Sequence, residues 1–358
     1  MRQTKLHIPL SLGGTTINIV GVLAQRDQPP HPEHAAEATI VDPRVNVNYP
    51  SEPAPVRSTT EGRKVALILH GVLAHKDQTY HRLLAASLPI DSFRFDFRAN
   101  AETPGPWNMA SFDLDLQDMR ACIDYLTDRL GYTVEVIIAH SRGALDGFKF
   151  LATQCNDAVE PRKRVPYYVA LGARWRMKKI HDRDPLYQPA FAAEGFYRWK
   201  VKVAGQKREV HIYPKDVEDF AVWPIEKYVA EFPTKTDVLL VSGTADETVP
   251  VSDSAYYINA LTGPHRRPGS ASLRLIDDAN HNFKGHYDEL VDIIVTWLQS
   301  RLDLSRQGTA AAGGIRDHDL RAETTLQKSW ESSSSSASSS SVPGSVSAGR
   351  SAVAKGKL

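Results

Sequence analysis

Three residues whose types suit nucleophilic catalysis occur in a defined order along the chain. Ser141 comes first, Asp246 second and His281 third, each shortly after a segment with the apolar pattern of a β-strand. A serine hydroxyl becomes a nucleophile when a histidine takes its proton and an acid orients that histidine. The pattern therefore predicts acyl-transfer chemistry on a carboxylic ester or amide.

Ser141 lies between a strand-like and a helix-like segment. Residues 134–139 are rich in β-branched residues, and a helix is predicted over about 144–154. A nucleophile elbow needs this order, because its tight turn strains the serine backbone and requires small residues two positions away on either side. Gly143 is one of them, and Ala139 stands where a second glycine is usual. A serine that only caps a helix has the same short motif. Whether Ser141 is a nucleophile must therefore be judged from the other segments of the chain.

The acid and the base each have competitors in the sequence. Asp246 follows a strand predicted at 237–241, but Asp also favours turns, and Glu247 beside it is a second carboxylate. His281 lies between the last predicted strand and the closing helix, which favours it over His286, His75 and His140. We expect His140 to pack around the elbow.

The oxyanion that forms during acyl transfer needs two hydrogen-bond donors. The backbone N–H of Arg142 is the first, at the start of the helix after the elbow. The loop after the first core strand supplies the second, and we expect the N–H of Val72 there, with Leu73 as the alternative. Because only backbone N–H groups are required, the residue types at these positions give little information about which groups donate.

Repeated strand and helix segments position these residues. Two apolar runs flank Gly13-Gly14 and predict an opening β-hairpin. The repeat that follows predicts a mostly parallel sheet covered by helices on both faces, with ligands bound at the carboxyl ends of the strands. Core strands are predicted at 65–69, 93–97, 134–139, 167–172, 237–241 and 273–276, and helices at about 116–130, at about 144–154 and after His281.

Composition divides the chain into four segments. They are an N-terminal hairpin of the sheet (1–25), a proline-rich inserted loop (26–62), an α/β domain (63–303) and a serine-rich tail expected to be disordered (304–358). Within the α/β domain, residues 173–232 alternate charged and aromatic residues and are too long for a connector, so we predict a lid. We expect Trp107 and the lid aromatics to pack between the lid and the core; the alternative is that they line an acyl site.

Charge and cysteine content exclude several classes of protein. A formal net charge of +1 and a pI of 7.8 predict neither nucleic-acid nor anionic-membrane binding. Cys122 and Cys155 lack metal-ligand spacing, so we expect a reducing compartment, no metal and no cofactor. Neither a signal peptide nor a membrane span is evident. We expect a cytoplasmic protein. The alternative is a peroxisomal one, because residues 356–358 are weakly similar to the Ser-Lys-Leu targeting signal.

Five ordered motifs resemble those of the α/β-hydrolase superfamily. They are similar to motifs of its serine-aminopeptidase/monoglyceride-lipase-like branch, and of cinnamoyl-ester-hydrolase-like and uncharacterised eukaryotic relatives. The resemblance extends from about Val65 to Leu298. It implies an α/β-hydrolase fold with a Ser141, Asp246, His281 triad and with Val72 and Arg142 as oxyanion donors. The motifs occupy residues 69–76, 95–98, 139–143, 243–250 and 279–283.

The sequence departs from the family pattern at three alanines. Ala99 and Ala101 stand where such proteins usually carry glycines. If those positions need a positive φ, each alanine costs about 1 kcal/mol, which predicts a loop of altered shape. Ala139 at the elbow is a milder change.

Three functions are compatible with these features. The first is a serine hydrolase that cleaves a small or medium carboxylic ester and has small-molecule substrates as its partners. The second is an aminopeptidase or amide hydrolase, which needs an acidic pocket for the substrate ammonium; residues 72–75 lack the Gly-Gly-Pro-Gly run usual in proline-iminopeptidase-type members. The third is a non-catalytic binding protein on a hydrolase fold.

Overall fold

The N-terminal segment forms an antiparallel hairpin. In the computed structural model, which describes residues 1–28, 49–50, 53–160 and 163–310 (backbone only for 306–310), strand β1 spans Arg2–Leu12 and strand β2 Thr15–Gln25. The two strands pair along their whole length, and Gly13 and Gly14 make the turn with φ of 53° and 97°. The predicted hairpin is confirmed. Most of the predicted insertion at 26–62 lies outside the described residues.

Helices and strands alternate through the rest of the described chain. The first half contains α1 (Arg57–Thr60), β3 (Lys64–Leu69), α2 (His81–Ser87), β4 (Asp91–Phe95), α3 (Phe112–Asp124), β5 (Thr133–His140), α4 (Arg142–Gln154) and β6 (Tyr167–Leu171). The segment between β6 and the next core strand contains a 3-10 helix (Met177–Arg183), α5 (Asp184–Glu194), β7 (Tyr197–Val203), β8 (Gln206–Ile212), α6 (Pro214–Ala221) and α7 (Ile225–Ala230). The last elements are β9 (Asp237–Gly243), α8 (Asp253–Leu261), β10 (Ala271–Ile276) and α9 (Tyr287–Ala310).

Eight of the described strands form one sheet in the order β1-β2-β4-β3-β5-β6-β9-β10. Pairing is parallel from β4 through β10, whereas β2 runs antiparallel to both β1 and β4. The central strands are buried along nearly their whole length because helices cover both faces. This is the mostly parallel, doubly wound sheet with an N-terminal hairpin that the sequence predicted.

The chain reverses its direction of winding at the middle of the sheet. From β3 it moves outward to β4 and then returns to the other side of β3 as β5. Such a switch point opens a crevice at the carboxyl ends of the two diverging strands. The loop after β3 and Ser141 after β5 both lie at this crevice.

Element boundaries differ from the predictions at several ends. The fourth strand spans 91–95, not 93–97, because Asp96 and Phe97 already belong to the loop that follows. Helix α3 begins at Phe112, and α1, α2 and α8 were not predicted. The closing helix continues to Ala310, past the boundary predicted at 303; the tail beyond it lies outside the described residues.

The segment between β6 and β9 has its own apolar cluster. Its helices and the β7–β8 hairpin pack Tyr187, Ile212 and Val217 against Met109. Trp107 packs on this cluster, with its ring 6.3 Å from that of Trp199 in a T-shaped contact. The aromatic residues of this segment therefore contribute to packing.

Candidate active site

Ser141, His281 and Asp246 form a hydrogen-bonded chain at the carboxyl edge of the sheet. The Oγ of Ser141 lies 2.9 Å from Nε2 of His281, and Nδ1 of the same ring lies 2.7 Å from Oδ2 of Asp246. The carboxylate is 1% exposed and the imidazole 12% exposed. Such an arrangement lets the imidazole take the serine proton while the acid fixes its orientation.

The backbone of Ser141 has the strained conformation of an elbow. Its φ is 54° and its ψ is −117°, between the end of β5 and the first turn of α4. A residue with a Cβ rarely adopts such angles, so the surrounding structure must impose them. The N–H of Ser141 donates to the carbonyl of Leu171 on the neighbouring strand, at 2.8 Å.

Small residues allow the elbow to approach the loop after β3. A Cβ on Gly143 would come 2.6 Å from the carbonyl oxygen of His70, and a Cβ on Gly71 would come 3.1 Å from that of Ser141. Ala139 is fully buried in β5, where it pairs with Leu69 and Ala170. Its methyl group thus fits where the family usually has glycine.

Asp246 is fixed by its own loop. Its Oδ1 accepts the backbone N–H groups of Thr248 at 2.8 Å and Val249 at 2.7 Å, which leaves Oδ2 for His281. Glu247, the competing acid, is exposed and makes no hydrogen bond within the described part of the chain. The structure therefore brings Asp246, and not Glu247, to the histidine.

The histidine is placed by a close contact with the end of β6. Gly172 has a φ of 57°, and a Cβ there would lie 3.2 Å from Cε1 of His281. Of the competing histidines, His286 contacts Glu289 at 3.3 Å, and His75 lines a wall of the adjacent cavity. Neither of them is hydrogen-bonded to Ser141.

His140 packs behind the nucleophile. Its Nε2 donates to the carbonyl oxygen of His281 at 2.9 Å, and the two rings lie 5.0 Å apart. Burial lowers the pKa of His140 well below its ordinary value, as does the neighbouring His281. His140 is therefore neutral and serves as a support.

The two residues predicted as oxyanion donors belong to the first turn of α4 and to the loop after β3. Arg142 is the first residue of α4, where backbone N–H groups lack partners within the helix. Val72 and the alternative donor Leu73 line the cavity together with Ser141. Their role as donors remains a prediction.

The side chain of Arg142 has a structural function that the sequence did not predict. Its Nε lies 2.7 Å from Asp115 on α3, it donates to the carbonyl of Met109, and the guanidinium lies 4.3 Å above the ring of Phe112. Asp146 lies on the same helix as Arg142 and is close to Asp115. Burial raises the pKa of Asp146 well above its ordinary value, and so does the negative charge of Asp115. No local motif indicates such contacts between elements.

The loop after β4 is braced, although Asp96 and Arg98 do not pair with each other. Asp96 binds Lys76 at 2.7 Å, and Arg98 binds Asp118 at 2.7 Å. These two ion pairs brace the loop.

The alanines of this loop adopt a left-handed backbone. The φ of Ala99 is 60° and that of Ala101 is 42°, as expected for positions that usually carry glycine. Arg208 of β8 donates to both carbonyl oxygens, at 2.8 Å and 2.9 Å. The hairpin is thereby fastened to the loop.

A cavity of about 700 Å³ lies beside Ser141. One wall is the loop after β3, and another is the β7–β8 hairpin with Trp199 and Val201. Asn282 and Tyr287 line it near the histidine. This volume is that of a small-molecule site. Within the described residues, no cluster of three metal-ligating side chains occurs, and no helix is long and apolar enough to span a membrane.

Comparisons with known proteins agree with this architecture. Residues 176–305 match the model of the prolyl oligopeptidase family, a stretch that contains Asp246 and His281 but not Ser141. An uncharacterised protein of Saccharomyces cerevisiae, YDL057W, is 27% identical over 237 residues, which is 62% of this chain and 69% of the relative.

Solved structures resemble most of the chain. Est1E from Butyrivibrio proteoclasticus with bound ferulic acid has a TM-score of 0.57 at 14% identity, over 83% of this chain and 99% of that one. The Pyrococcus furiosus esterase Pf2001 has a TM-score of 0.51 at 15% identity, over 83% and 90%. A protein from Agrobacterium vitis S4 has a TM-score of 0.53 at 15% identity, over 82% of this chain and 98% of that one.

These likenesses show the fold of the chain. The chain has the α/β-hydrolase fold, and the resemblance to α/β hydrolases predicted from its motifs is confirmed. The match of residues 176–305 to the prolyl oligopeptidase family supports a hydrolase with this fold.

Proposed function

We propose that this protein cleaves carboxylic esters through an acyl-enzyme intermediate. The observation that supports this most directly is the chain of hydrogen bonds from Ser141 to His281 to Asp246, at 2.9 Å and 2.7 Å, at the edge of a cavity of about 700 Å³. A cavity of that size admits an ester of small or medium length.

The reaction follows from the positions of these groups. Ser141 Oγ attacks the ester carbonyl while His281 takes its proton, and Asp246 holds the imidazolium that forms. The N–H groups of Val72 and Arg142 receive the oxyanion. The intermediate collapses, and His281 protonates the departing alcohol. Water activated by the same histidine then hydrolyses the acyl-enzyme, so the cycle needs no cofactor.

The segment 173–232 acts as a lid in this proposal. It lies between β6 and β9, within the proposed α/β domain at 63–303, and its β7–β8 hairpin supplies Trp199 and Val201 to the cavity. A cover of this kind excludes water from the reacting carbonyl and strengthens the electrostatic interactions around it.

Amide cleavage is the second candidate, because a prolyl oligopeptidase model matches part of the chain. An aminopeptidase needs a carboxylate to bind the substrate ammonium. Among the described residues that line the cavity there is no Asp and no Glu. The lining therefore favours esters over substrates with a free amino terminus.

Activity-based labelling tests the proposal. A fluorophosphonate probe should label the wild-type protein and a Ser11→Ala control, in which an exposed serine of β1 is changed. It should not label Ser141→Ala. Persistent labelling of Ser141→Ala would contradict the assignment of the nucleophile. A folded wild-type protein that neither reacts with the probe nor cleaves any ester of a panel graded by chain length would instead favour a non-catalytic binding protein.

A further inference from the structure

We infer that the substrate carries a negative charge besides its scissile ester, and that Arg183 and Lys202 of the lid bind this charge. The inference rests on the proposed esterase function and specifies its substrate class. Arg183 ends the 3-10 helix, and Lys202 lies near the tip of the β7–β8 hairpin. Both residues line the cavity that contains Ser141 and His281.

The charges that line the cavity have one sign. Its described lining includes two cationic side chains and no carboxylate. His75, which also lines it, carries no negative charge in either protonation state, and burial lowers its pKa, which disfavours the cationic form. A concave wall of one sign concentrates ligands of the opposite charge.

Arg183 has no carboxylate partner among the described residues, although an acid lies on either side of it in the sequence. Asp182 binds Lys179 at 3.0 Å, and Asp184 contacts His181 at 3.3 Å. A neighbour whose pKa its charge affects is the phenol of Tyr187, which burial keeps neutral. A half-buried guanidinium without a counter-ion has lost hydration that an anionic ligand can restore, with up to two parallel hydrogen bonds.

A second guanidinium lies beside this wall. Arg174 follows β6 and donates to the carbonyl oxygen of Thr248, itself a lining residue, at 2.6 Å. The carboxylates of Asp253, Asp246 and Asp182 offset part of its charge. The inference therefore rests on Arg183 and Lys202.

The remaining walls define the uncharged part of the substrate. Val72, Trp199 and Val201 are apolar, and Gln78 and Asn282 offer amide groups. An ester with an apolar body that ends in a carboxylate fits these surroundings. Examples are the monoester of a dicarboxylic acid and the acyl ester of a hydroxy acid, which place the anion on the acyl or on the alcohol side.

Matched ester pairs test the inference. On the acyl side, p-nitrophenyl hydrogen adipate is compared with the neutral p-nitrophenyl adipamate of the same length; on the alcohol side, 4-butyryloxybenzoate is compared with 4-butyryloxybenzamide. At low salt we expect kcat/KM to favour the anionic member of at least one pair by about tenfold, as for one charge-assisted hydrogen bond. Added NaCl should reduce that ratio, because salt screens the attraction.

Two variants locate the effect. Arg183→Gln should reduce the anionic-to-neutral ratio by about tenfold and Lys202→Gln by about threefold, because the exposed lysine is better screened. Lys178→Gln, an exposed change on the same 3-10 helix outside the cavity lining, should leave the ratio unchanged. If Arg183→Gln fails to fold, the inference is still tested by three measurements. They are the anionic-to-neutral ratio of kcat/KM for the wild type, the dependence of that ratio on salt, and the ratio for Lys202→Gln.

The outcomes separate the inference from the function on which it rests. Equal or faster cleavage of the neutral member of both pairs by wild-type protein would overturn the inference and leave the esterase proposal intact. An anionic-to-neutral ratio that stays the same in both Arg183→Gln and Lys202→Gln would also overturn the inference. Failure of the fluorophosphonate probe to label Ser141 would overturn the esterase proposal itself.

Discussion

Gly143 and His70 lie so close together that a Cβ on the glycine would come 2.6 Å from the carbonyl oxygen of the histidine. The glycine is in the first turn of α4, and the carbonyl belongs to the start of the loop that contains Val72. This contact therefore sets the distance between the two proposed oxyanion donors.

Replacing Gly143 with alanine should damage both stability and activity. The added methyl group meets backbone that cannot move aside cheaply, so we expect a loss of about 1–3 kcal/mol in the free energy of unfolding. Ester turnover should fall further than stability explains, because the donors move apart. Ala139→Gly disturbs the same elbow without adding an atom, and its turnover should fall less. Denaturant titration and kcat measurements distinguish the two; equal kcat values for both variants would argue against this steric account.

Asp246→Asn should reduce kcat by about 10⁴-fold, the effect typical of removing the acid's charge beside a catalytic histidine. The asparagine oxygen can still accept from the N–H groups of Thr248 and Val249, so the loop should keep its shape. Glu247→Gln is the matched control, because this neighbouring acid is exposed and should leave kcat unchanged. A large loss in Glu247→Gln and a small one in Asp246→Asn would reassign the acid.

His81 should make the fold sensitive to acid. Burial lowers its pKa to about 4, whereas in the unfolded chain it titrates near the ordinary value of about 6.5. As the pH falls below 6.5 the unfolded chain takes up a proton that the native state refuses. The stability present above pH 6.5 is therefore lost towards pH 4, by about 2 kcal/mol at pH 5.

The variant His81→Phe tests this effect. It retains a ring against Tyr80, whose centroid lies 4.7 Å away, and removes the titrating group. Its unfolding free energy should fall less between pH 7.5 and pH 5 than that of the wild type, by about 2 kcal/mol. Identical pH dependences in urea titrations would show that His81 does not contribute.

Ala101→Gly should stabilise the loop after β4. Its φ of 42° is costly for a residue with a Cβ, and the residue is only half-buried, so glycine should gain about 0.5–1 kcal/mol. Ala99→Gly should be nearly neutral. It relieves the same strain at a φ of 60°, but Ala99 is only 6% exposed, so the burial of its methyl group is lost. Thermal unfolding checks both; destabilisation by Ala101→Gly would show that strain is absent there.

The sequence was sufficient to predict the sheet and the convergence at its edge. Buried parallel strands appear as continuous apolar runs, and their carboxyl ends meet, so residues that follow β5, β9 and β10 had to lie near one another. Ser141, Asp246 and His281 are three such residues, and the structure brings them within hydrogen-bond distance.

Contacts between distant elements could not be predicted in this way. Arg142 binds Asp115, Asp96 binds Lys76, and Arg208 reaches the carbonyl oxygen of Ala99. Such pairs depend on the packing of whole elements, and no local spacing indicates them. The strand at 91–95 was misplaced by two residues because Asp96 and Phe97 continue its alternating pattern although they have left the sheet.

The backbone of Ser141 also implies a conflict between reactivity and durability. A φ of 54° with a ψ of −117° suits glycine and costs a serine about 1–3 kcal/mol. The backbone conformation that directs the Ser141 hydroxyl towards the cavity therefore lowers the thermal stability of the fold. Selection for heat tolerance alone would be expected to replace Ser141 with glycine, which would make the protein more stable and abolish the proposed esterase activity.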